Sequence, residues 1–294
     1  LNVISHGMSP AKPFDELYAY DGIHRLKDFK RGVLNSSNNA METGTTTRHQ
    51  IWDLDPTGNW KGFDELVAPT LDQSRTSNKA NEIISITNAA NPQWITPTYD
   101  RNGNMKRMPR PAQPDDGYLA TYDAWNRLAA LTTNDTEDPI LVNKYQYDGL
   151  NRRTIKDTYD EEGDPEETRH FLYSRHWQIL EERIGDELDE ADVEREYVWG
   201  LRYLDDCVLR DRTDDEPLDE RLYAIQDANW NVATVTNENG AVQQRLLYTP
   251  YGERTLLQAT FSMWSGDDTV MWEVQLSGYM RDLDTDLYSI RHRV

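Results

Sequence analysis

Seven tyrosines of this chain stand at an almost even pitch. Tyr99, Tyr122, Tyr147, Tyr173, Tyr197, Tyr223 and Tyr248 follow one another at intervals of 23, 25, 26, 24, 26 and 25 residues. A period of this length marks a repeat protein, in which each repeat is one small supersecondary unit that buries its apolar face against its neighbours. A second comb lies between the tyrosines: Asn134–Pro139, Asp160–Pro165, the acidic stretches 181–196 and 211–220, and Asn237–Gly240. Its teeth are rich in Gly, Pro, Asp and Asn, the punctuation of loops. Two turn signals in about 25 residues leave two strands of about 6–10 residues each. The segments between them, such as Lys144–Tyr147, His170–Tyr173 and Glu196–Trp199, are aromatic and β-branched, which favours strand over helix. The expected fold class is all-β: tandem antiparallel β-hairpin repeats joined in a meander and stacked into a spiral or solenoid sheet.

A longer phrase sits at four tyrosines. Tyr20 opens Tyr-Asp-Gly-Ile-His-Arg-Leu, Tyr99 opens Tyr-Asp-Arg-Asn-Gly-Asn-Met, Tyr122 opens Tyr-Asp-Ala-Trp-Asn-Arg-Leu and Tyr147 opens Tyr-Asp-Gly-Leu-Asn-Arg-Arg. The side chains of Asp21, Asp100, Asp123 and Asp148 suit a turn, because an Asp bonds the backbone just ahead of it. Gly103, Asn104, Asn126, Gly149 and Asn151 suit one because Gly and Asn tolerate positive φ. Tyr therefore ends one strand, Asp enters the turn, and an Arg such as Arg127 or Arg152 opens the next strand. His24 takes the Asn position of such a phrase. Asp227–Asn231 and Asp100–Asn104 begin like calcium loops but lack the sixth-position Gly or the twelfth-position Glu of an EF-hand, and hairpin turns explain them more simply.

The regular rhythm spans 99–252. Residues 1–98 read as divergent repeats with loop insertions. In this part Ile51–Trp60 resembles a repeat with Trp in the place of tyrosine, Asn81–Ile86 reads as a strand, and 68–80 as a polar loop. Residues 105–117, with Pro109, Pro111 and Pro114, read as a polyproline-like excursion or an insertion. Residues 253–294 change character and show no clear period as far as Leu276. Beginning at Leu1 and stopping at Val294, the chain reads as a fragment of something longer.

At these residues the chain resembles the RHS/YD-repeat family. The phrases at Tyr99, Tyr122 and Tyr147 are similar to its diagnostic repeats. Asp227 and Asn231, with Tyr248, Pro250, Tyr251 and Gly252, resemble the opening of the RHS-associated core. Gly278, Tyr279, Tyr288, Arg291 and Arg293 resemble the stretch that closes it, which makes 253–294 the truncated start of that core region. Trp230 and Asp286 stand where the family usually has Gly. The chain stops before the segment that carries the self-cleavage aspartates in many members, so no catalytic residue is carried over. The resemblance implies part of a hollow shell that encloses or presents a C-terminal toxin-like domain, in a secreted or cell-surface protein.

The rest of the sequence narrows the function by exclusion. The net charge is −21; phosphate backbones call for clustered Lys and Arg, so nucleic acid is not an expected partner. No run approaches the ~20 apolar residues of a membrane helix. One cysteine, Cys207, leaves no intrachain disulfide and no cysteine-built metal site. No nucleophile elbow, zinc-protease helix or phosphate loop occurs, and 52 acidic residues offer no means of choosing a catalytic pair. The expectation is a non-catalytic scaffold without a cofactor. Its partner would be an effector domain in cis, or a surface protein or glycan. The alternative is an adhesin or carbohydrate-binding β-solenoid that uses exposed Tyr and Trp. Open sheet edges would favour self-association. The direction in which Trp125, Trp177, Trp199 and Trp230 point separates shell from binding module.

Overall fold

The computed structural model describes residues 2–4, 13–67, 69–90, 93–111, 113–135, 137–188, 192–213 and 217–291. Arg293 lies outside them. Among the described residues the regular structure is almost entirely antiparallel strand, in long sheets of seven and up to fourteen strands ordered as in sequence, and neither of these sheets closes into a barrel. The chain forms two compact units, residues 1–117 and 118–294. No helix among the described residues is long and apolar enough to cross a membrane.

In the first unit β1 (Asn2–Ile4), β2 (Asp15–Tyr20), β3 (Leu26–Gly32), β4 (Arg48–Leu54), β5 (Trp60–Glu65), β6 (Leu71–Ser77) and β7 (Ile83–Asn88) follow in order, then the short pair β8 (Thr98–Tyr99) and β9 (Met105–Pro109). Phe29, Trp52 and Phe63 form its apolar centre, with Tyr18 and Trp60 packed against them. Polar residues share the buried positions in pairs: Glu16 lies opposite Arg31, Gln50 opposite Glu65 and Gln73 opposite Asn88. Each pair is hydrogen-bonded, at 2.6, 3.0 and 2.9 Å, as buried polar groups require. Two expectations fail in this unit. Residues 68–80 hold β6, whose buried or half-buried Leu71, Gln73 and Arg75 alternate with exposed residues; the period of two was hidden because two of those three are polar. Residues 105–117 hold β9, which ends at Pro109, where a missing N–H does least harm to a ladder.

In the second unit β10 (Gly117–Tyr122), β11 (Leu128–Thr133), β12 (Leu141–Tyr147), β13 (Arg153–Tyr159), β14 (Pro165–Tyr173), β15 (Ile179–Ile184), β16 (Asp192–Trp199), β17 (Cys207–Arg212), β18 (Glu220–Gln226), β19 (Val232–Asn237), β20 (Val242–Tyr248) and β21 (Arg254–Leu257) continue the meander. A 3₁₀ turn at Leu276–Gly278 and the small pair β22 (Met280–Arg281) and β23 (Tyr288–Ser289) follow. The core joins Phe171, Ile179, Tyr197, Leu222, Val232, Val235 and Leu246 from the sheet to Val270, Trp272 and Val274 from the later segment.

One turn recurs along both units. The N–H of Asp21 donates to the carbonyl of Arg25 and the N–H of His24 to that of Asp21, and the same two bonds recur from Asp100, Asp123, Asp148 and Asp227. The fourth residue of the turn is left-handed: φ is 67° at His24, 61° at Asn126, 65° at Asn151 and 87° at Gly103. This is a type I turn closed by a bulge, a common connection for a twisted hairpin. The strand register shifts beside it, at Tyr20, Tyr122 and Tyr147. The Asp side chain holds the turn. Asp123 Oδ1 accepts the N–H groups of Trp125 and Arg127 at 2.9 and 3.0 Å, and Oδ2 accepts Arg127 Nε at 2.6 Å. Asp148 does the same with Leu150 and Arg152. In Asp100 and Asp227 the side-chain amides of Asn104 and Asn231 replace the Arg, so both calcium-like phrases are hairpin turns.

Candidate functional site

The tyrosines close what the turns leave open. In each hairpin the connecting loop holds one end of the strand pair, and the other end is free to fray. The Tyr147 hydroxyl, at the end of β12, donates to the carbonyl of Leu128, the first residue of β11, at 2.8 Å. Tyr173 bonds the carbonyl of Arg153 at 2.8 Å and Tyr248 that of Val232 at 3.0 Å. Tyr99 accepts the N–H of Ile83 at 3.2 Å. Each partner is the first residue of a strand. In β16 it is Trp199 that takes this part, its indole N–H donating to Ile179 O at 2.6 Å. Tyr197 lies two residues earlier and is buried, while Tyr223 lies inside β18 opposite Leu209 and Thr236. The even pitch thus combines strand-end tyrosines with two that do other work.

Neighbouring tips are tied as well. Arg127 reaches the carbonyl of Asp148 at 3.2 Å and its guanidinium lies 4.9 Å from the Tyr147 ring; Arg152 reaches Ser174 O at 3.4 Å and lies 5.3 Å from the Tyr173 ring. In the first unit Arg25 reaches Asp55 O at 2.6 Å. The repeat phrase is therefore one device. Asp makes the turn, Arg links the tip to the next, and Tyr pins the strand end.

Past β21, the segment 268–291 lies on one face of the second unit's sheet and is held there largely by side chains. Arg210, fully buried, donates to the carbonyls of Met271 and Val270 at 2.5 and 2.9 Å and to Glu273 at 2.9 Å. Glu273 also faces Arg195 at 2.8 Å. Asp282 receives Lys156 at 3.2 Å and Arg153 at 3.5 Å, and Lys156 also pairs with Asp284. Arg291 pairs with Asp205. Tyr288 donates to Gln275 at 3.2 Å, and the backbone of Val232 bonds that of Gln275. Two glycines allow the close approach. Gly252 has φ +93°, and a Cβ there would meet Leu276 at 2.7 Å; Gly278 has φ +69°, and a Cβ would meet Asp205 Cβ at 2.5 Å. Tyr251, two residues into its turn, is exposed, Pro250 precedes it, and Tyr279 follows Gly278 beside Tyr147 and Tyr173.

The charges under this segment form one network. Glu182 accepts Arg169 at 2.9 Å, Arg195 at 3.2 Å and the Tyr197 hydroxyl at 2.9 Å. Burial alone would push the Glu182 carboxyl up, but the guanidinium groups of Arg169 and Arg195 reverse this and hold it below the usual range. Asp282 is held down against the same burial by Lys156 and Arg153. Burial, with Glu182 beside it, pushes the Tyr197 hydroxyl well up, so it acts as a donor. Burial also pushes up the Cys207 thiol, which makes it an apolar filler rather than a nucleophile. Between sheet and segment lies a cavity of ≈ 320 Å³, with Arg153, Lys156, Arg169, Arg195, Arg281 and Asp282 in its wall. Sequence reasoning missed Lys156, Arg210, Glu273 and Asp282. Their partners between sheet and segment are 60–129 residues away in the chain, and no local pattern marks them.

The four tryptophans do not share one environment. Trp125 is 73% exposed at a hairpin tip. Trp177 and Trp230 hold left-handed positions in their own turns, with φ 67° and 64°, and Trp230 stacks on exposed Tyr203 at 5.1 Å. Trp199 is half-buried against the core. Trp177 and Trp199 line one pocket together with Tyr147 and Tyr173, and Trp125 and Trp230 are not in its wall. The positive φ of Trp230 and of Asp286 (62°) gives the physical reason why Gly would suit both positions.

Comparison with protein-family models finds no match. Comparison with curated proteins finds none either. Among solved structures, a crystal structure of TcdB2-TccC3 aligns with 93% of this chain at 13% identity and a TM-score of 0.32. The Tc holotoxin pore of Photorhabdus luminescens aligns with 94% at 12% identity and a TM-score of 0.30. This chain spans only 19% of the length of each of those chains. Overlap this loose carries no weight for fold or function, and the functional reading rests on the residues of this chain.

Proposed function

We propose that this chain is a non-catalytic length of β-wall of the RHS/YD type, from a secreted or cell-surface protein, that encloses or presents a variable domain joined to it. One observation supports this most: the polar groups of the repeat phrase are used on the scaffold itself. The Asp carboxylates bind their own turns, the Arg guanidiniums bind the next tip and the Tyr hydroxyls bind strand ends. Groups engaged in this way stiffen a wall and leave little polar chemistry over for turnover. The acidic charge argues for a partner other than nucleic acid. The test is to extend the coding sequence past residue 294 and proteolyse the natural polypeptide. The wall reading expects a following domain that is cut only after the β-structure unfolds. A following domain cut at once, in the folded protein, would sink it.

A second reading, a carbohydrate-binding surface, has a specific observation behind it: Trp125 is 73% exposed and Tyr203 52% exposed, with ring faces that a sugar could stack on. Glycan-array binding that disappears in Trp125→Ala would favour this reading over the wall.

A further inference from the structure

The acidic residues of the second unit are not spread evenly over it. In an antiparallel meander, alternate connections fall at opposite ends of the sheet. The loops that follow β11, β13 and β15 share one end, and exposed acids such as Glu161, Glu162, Asp164, Asp186 and Glu187 stand there. The turns that follow β10, β12, β14, β16 and β18 share the other end. There Asp123, Asp148 and Asp206 are each paired with an Arg of their own turn. The six residues of β17 separate the two ends by about 20 Å, roughly twice the ~8–10 Å over which salt screens exposed charges.

The second end carries an apolar corner. In the loop 200–206, between β16 and β17, Leu201 is fully exposed and Tyr203 and Leu204 are partly so. Val198 and Ile225, on strands that lead to this end, are about half exposed. Hydrocarbon gathered in water in this way marks an interaction surface. The loop is nonetheless well held. The N–H of Gly200 donates to Asp206 O at 2.6 Å, Gln178 donates to Leu204 O at 3.0 Å from the neighbouring turn on one side, and Gln226 to Asp205 O at 2.8 Å from the other. Arg202 and Tyr203 both lie against the ring of Trp230, at 5.3 and 5.1 Å. A second observation falls at the same corner. Trp230 is kept at φ 64°, in the turn position that Asn126 and Asn151 take elsewhere. That conformation costs a bulky residue free energy, and strain kept at an exposed corner points to a use there.

We propose that this corner docks on a lipid bilayer, with Leu201, Tyr203, Leu204 and Trp230 entering the boundary between headgroups and acyl chains. A fully exposed leucine at the tip of a loop needs a partner that deforms around it, and a bilayer does. Trp and Tyr settle at headgroup level, where one end of the ring is apolar and the other wet. Arg202, its side chain 72% exposed, stands among them with a stem that lies along hydrocarbon and a head that meets lipid phosphates. The nearby Asp227 carboxylate is bonded within its own turn, and the acid loops at the far end are screened from the surface. A stable protein interface takes about 20–30 residues a side, whereas this corner offers six apolar side chains, which favours lipid over a protein partner. Because the loop is already held in place, docking costs little ordering. The proposal rests on neither reading given above.

The test is flotation of the 294-residue chain with vesicles of phosphatidylcholine. Saturable partitioning is expected. Leu201→Glu is expected to weaken it at least about tenfold, the worth of one buried leucine, at an unchanged urea midpoint, since that side chain is already fully in water. Met263→Glu alters an exposed apolar residue that pairs with Leu257 at the far end of β21, and is expected to bind like the unaltered chain. Should Leu201→Glu shift the midpoint, amide exchange of the unaltered chain decides. Vesicles must then slow exchange in 200–206 and leave the acid loops unchanged. No flotation, equal flotation of Leu201→Glu, or slowed exchange confined to other segments would overturn the proposal. So would dimerisation of the lipid-free chain that Leu201→Glu abolishes, which would make a second copy the occupant of this corner.

Discussion

Gly278 shows how one residue couples backbone conformation to packing. At φ +69° a Cβ is strained, and here it would also lie 2.5 Å from Asp205 Cβ, near the main chain, where little can give. Gly278→Ala is therefore expected to cost about 2–3 kcal/mol of stability, read as a lower urea midpoint at unchanged slope. The turn aspartates set the acid limit. The Asn104 amide holds the Asp100 carboxyl below the usual range, and the backbone N–H of Arg25 does the same for Asp21. In Asp123 and Asp148 slight burial works the other way, and the bonds from Arg127 and Arg152 outweigh it. Groups with depressed values contribute stability above their unfolded value of about 3.9 and lose it as pH falls toward the folded one. Asp64 and Glu194, which burial pushes up, act in the opposite sense and are outnumbered. Tyr173 marks the alkaline limit. Burial pushes it up to about 12, so its contribution is full below the unfolded value of about 10 and is lost as pH rises toward 12. A stability plateau from about pH 5 to 9, falling on both sides, is expected in denaturation midpoints measured against pH; a midpoint rising below pH 4 would contradict it. Much of this was legible in the sequence. Asp at the turn entrance and Asn or Gly at the left-handed position follow from side-chain chemistry. Trp177 and Trp230 in that position do not, because nothing local calls for a bulky residue there.

At the scale of the element, the unit of construction is the hairpin with its loose end tied. Removing the hydroxyl in Tyr173→Phe leaves the ring and deletes a 2.8 Å bond to Arg153 O. The expected cost is about 1 kcal/mol, with faster amide exchange at the start of β13 and the end of β14 and no change at their connecting loop. Equal change at both ends would show that Tyr173 does not tie the open one. The alternation of β12 explains what the sequence concealed. Asn143 and Tyr145 face inward while Lys144 and Gln146 face out, so the inward face carries amide and phenol as well as hydrocarbon. A reader of hydrophobic patterns finds the regular strands through their turns and misses β6, whose inward residues include Gln73 and Arg75. The charged rung of the second unit was out of reach for another reason. Lys156 and Asp282 are 126 residues apart, and only the folded meander brings them together.

At the scale of the molecule, sequential order of strands means that, among the described residues, each sheet ends in an edge rather than closing on itself. Unpaired edges template association, so the sedimentation coefficient of the isolated chain is expected to rise with concentration. A constant monomeric value up to high concentration would show that the edges are protected. Segment 268–291 is clasped to the sheet face by Glu273 and Asp282. Without the clasp, a segment with so little regular structure would exchange its amides like a loose tail. Hydrogen–deuterium exchange of the unaltered chain and of Glu273→Gln, which leaves Arg195 and Arg210 short of a buried partner at a cost of about 3–5 kcal/mol, measures this directly. Residues 270–282 are expected to be protected to nearly the level of β14–β17 in the first and to open ahead of those strands in the second. Rapid exchange of 270–282 in the unaltered chain, or identical protection in both, would contradict it.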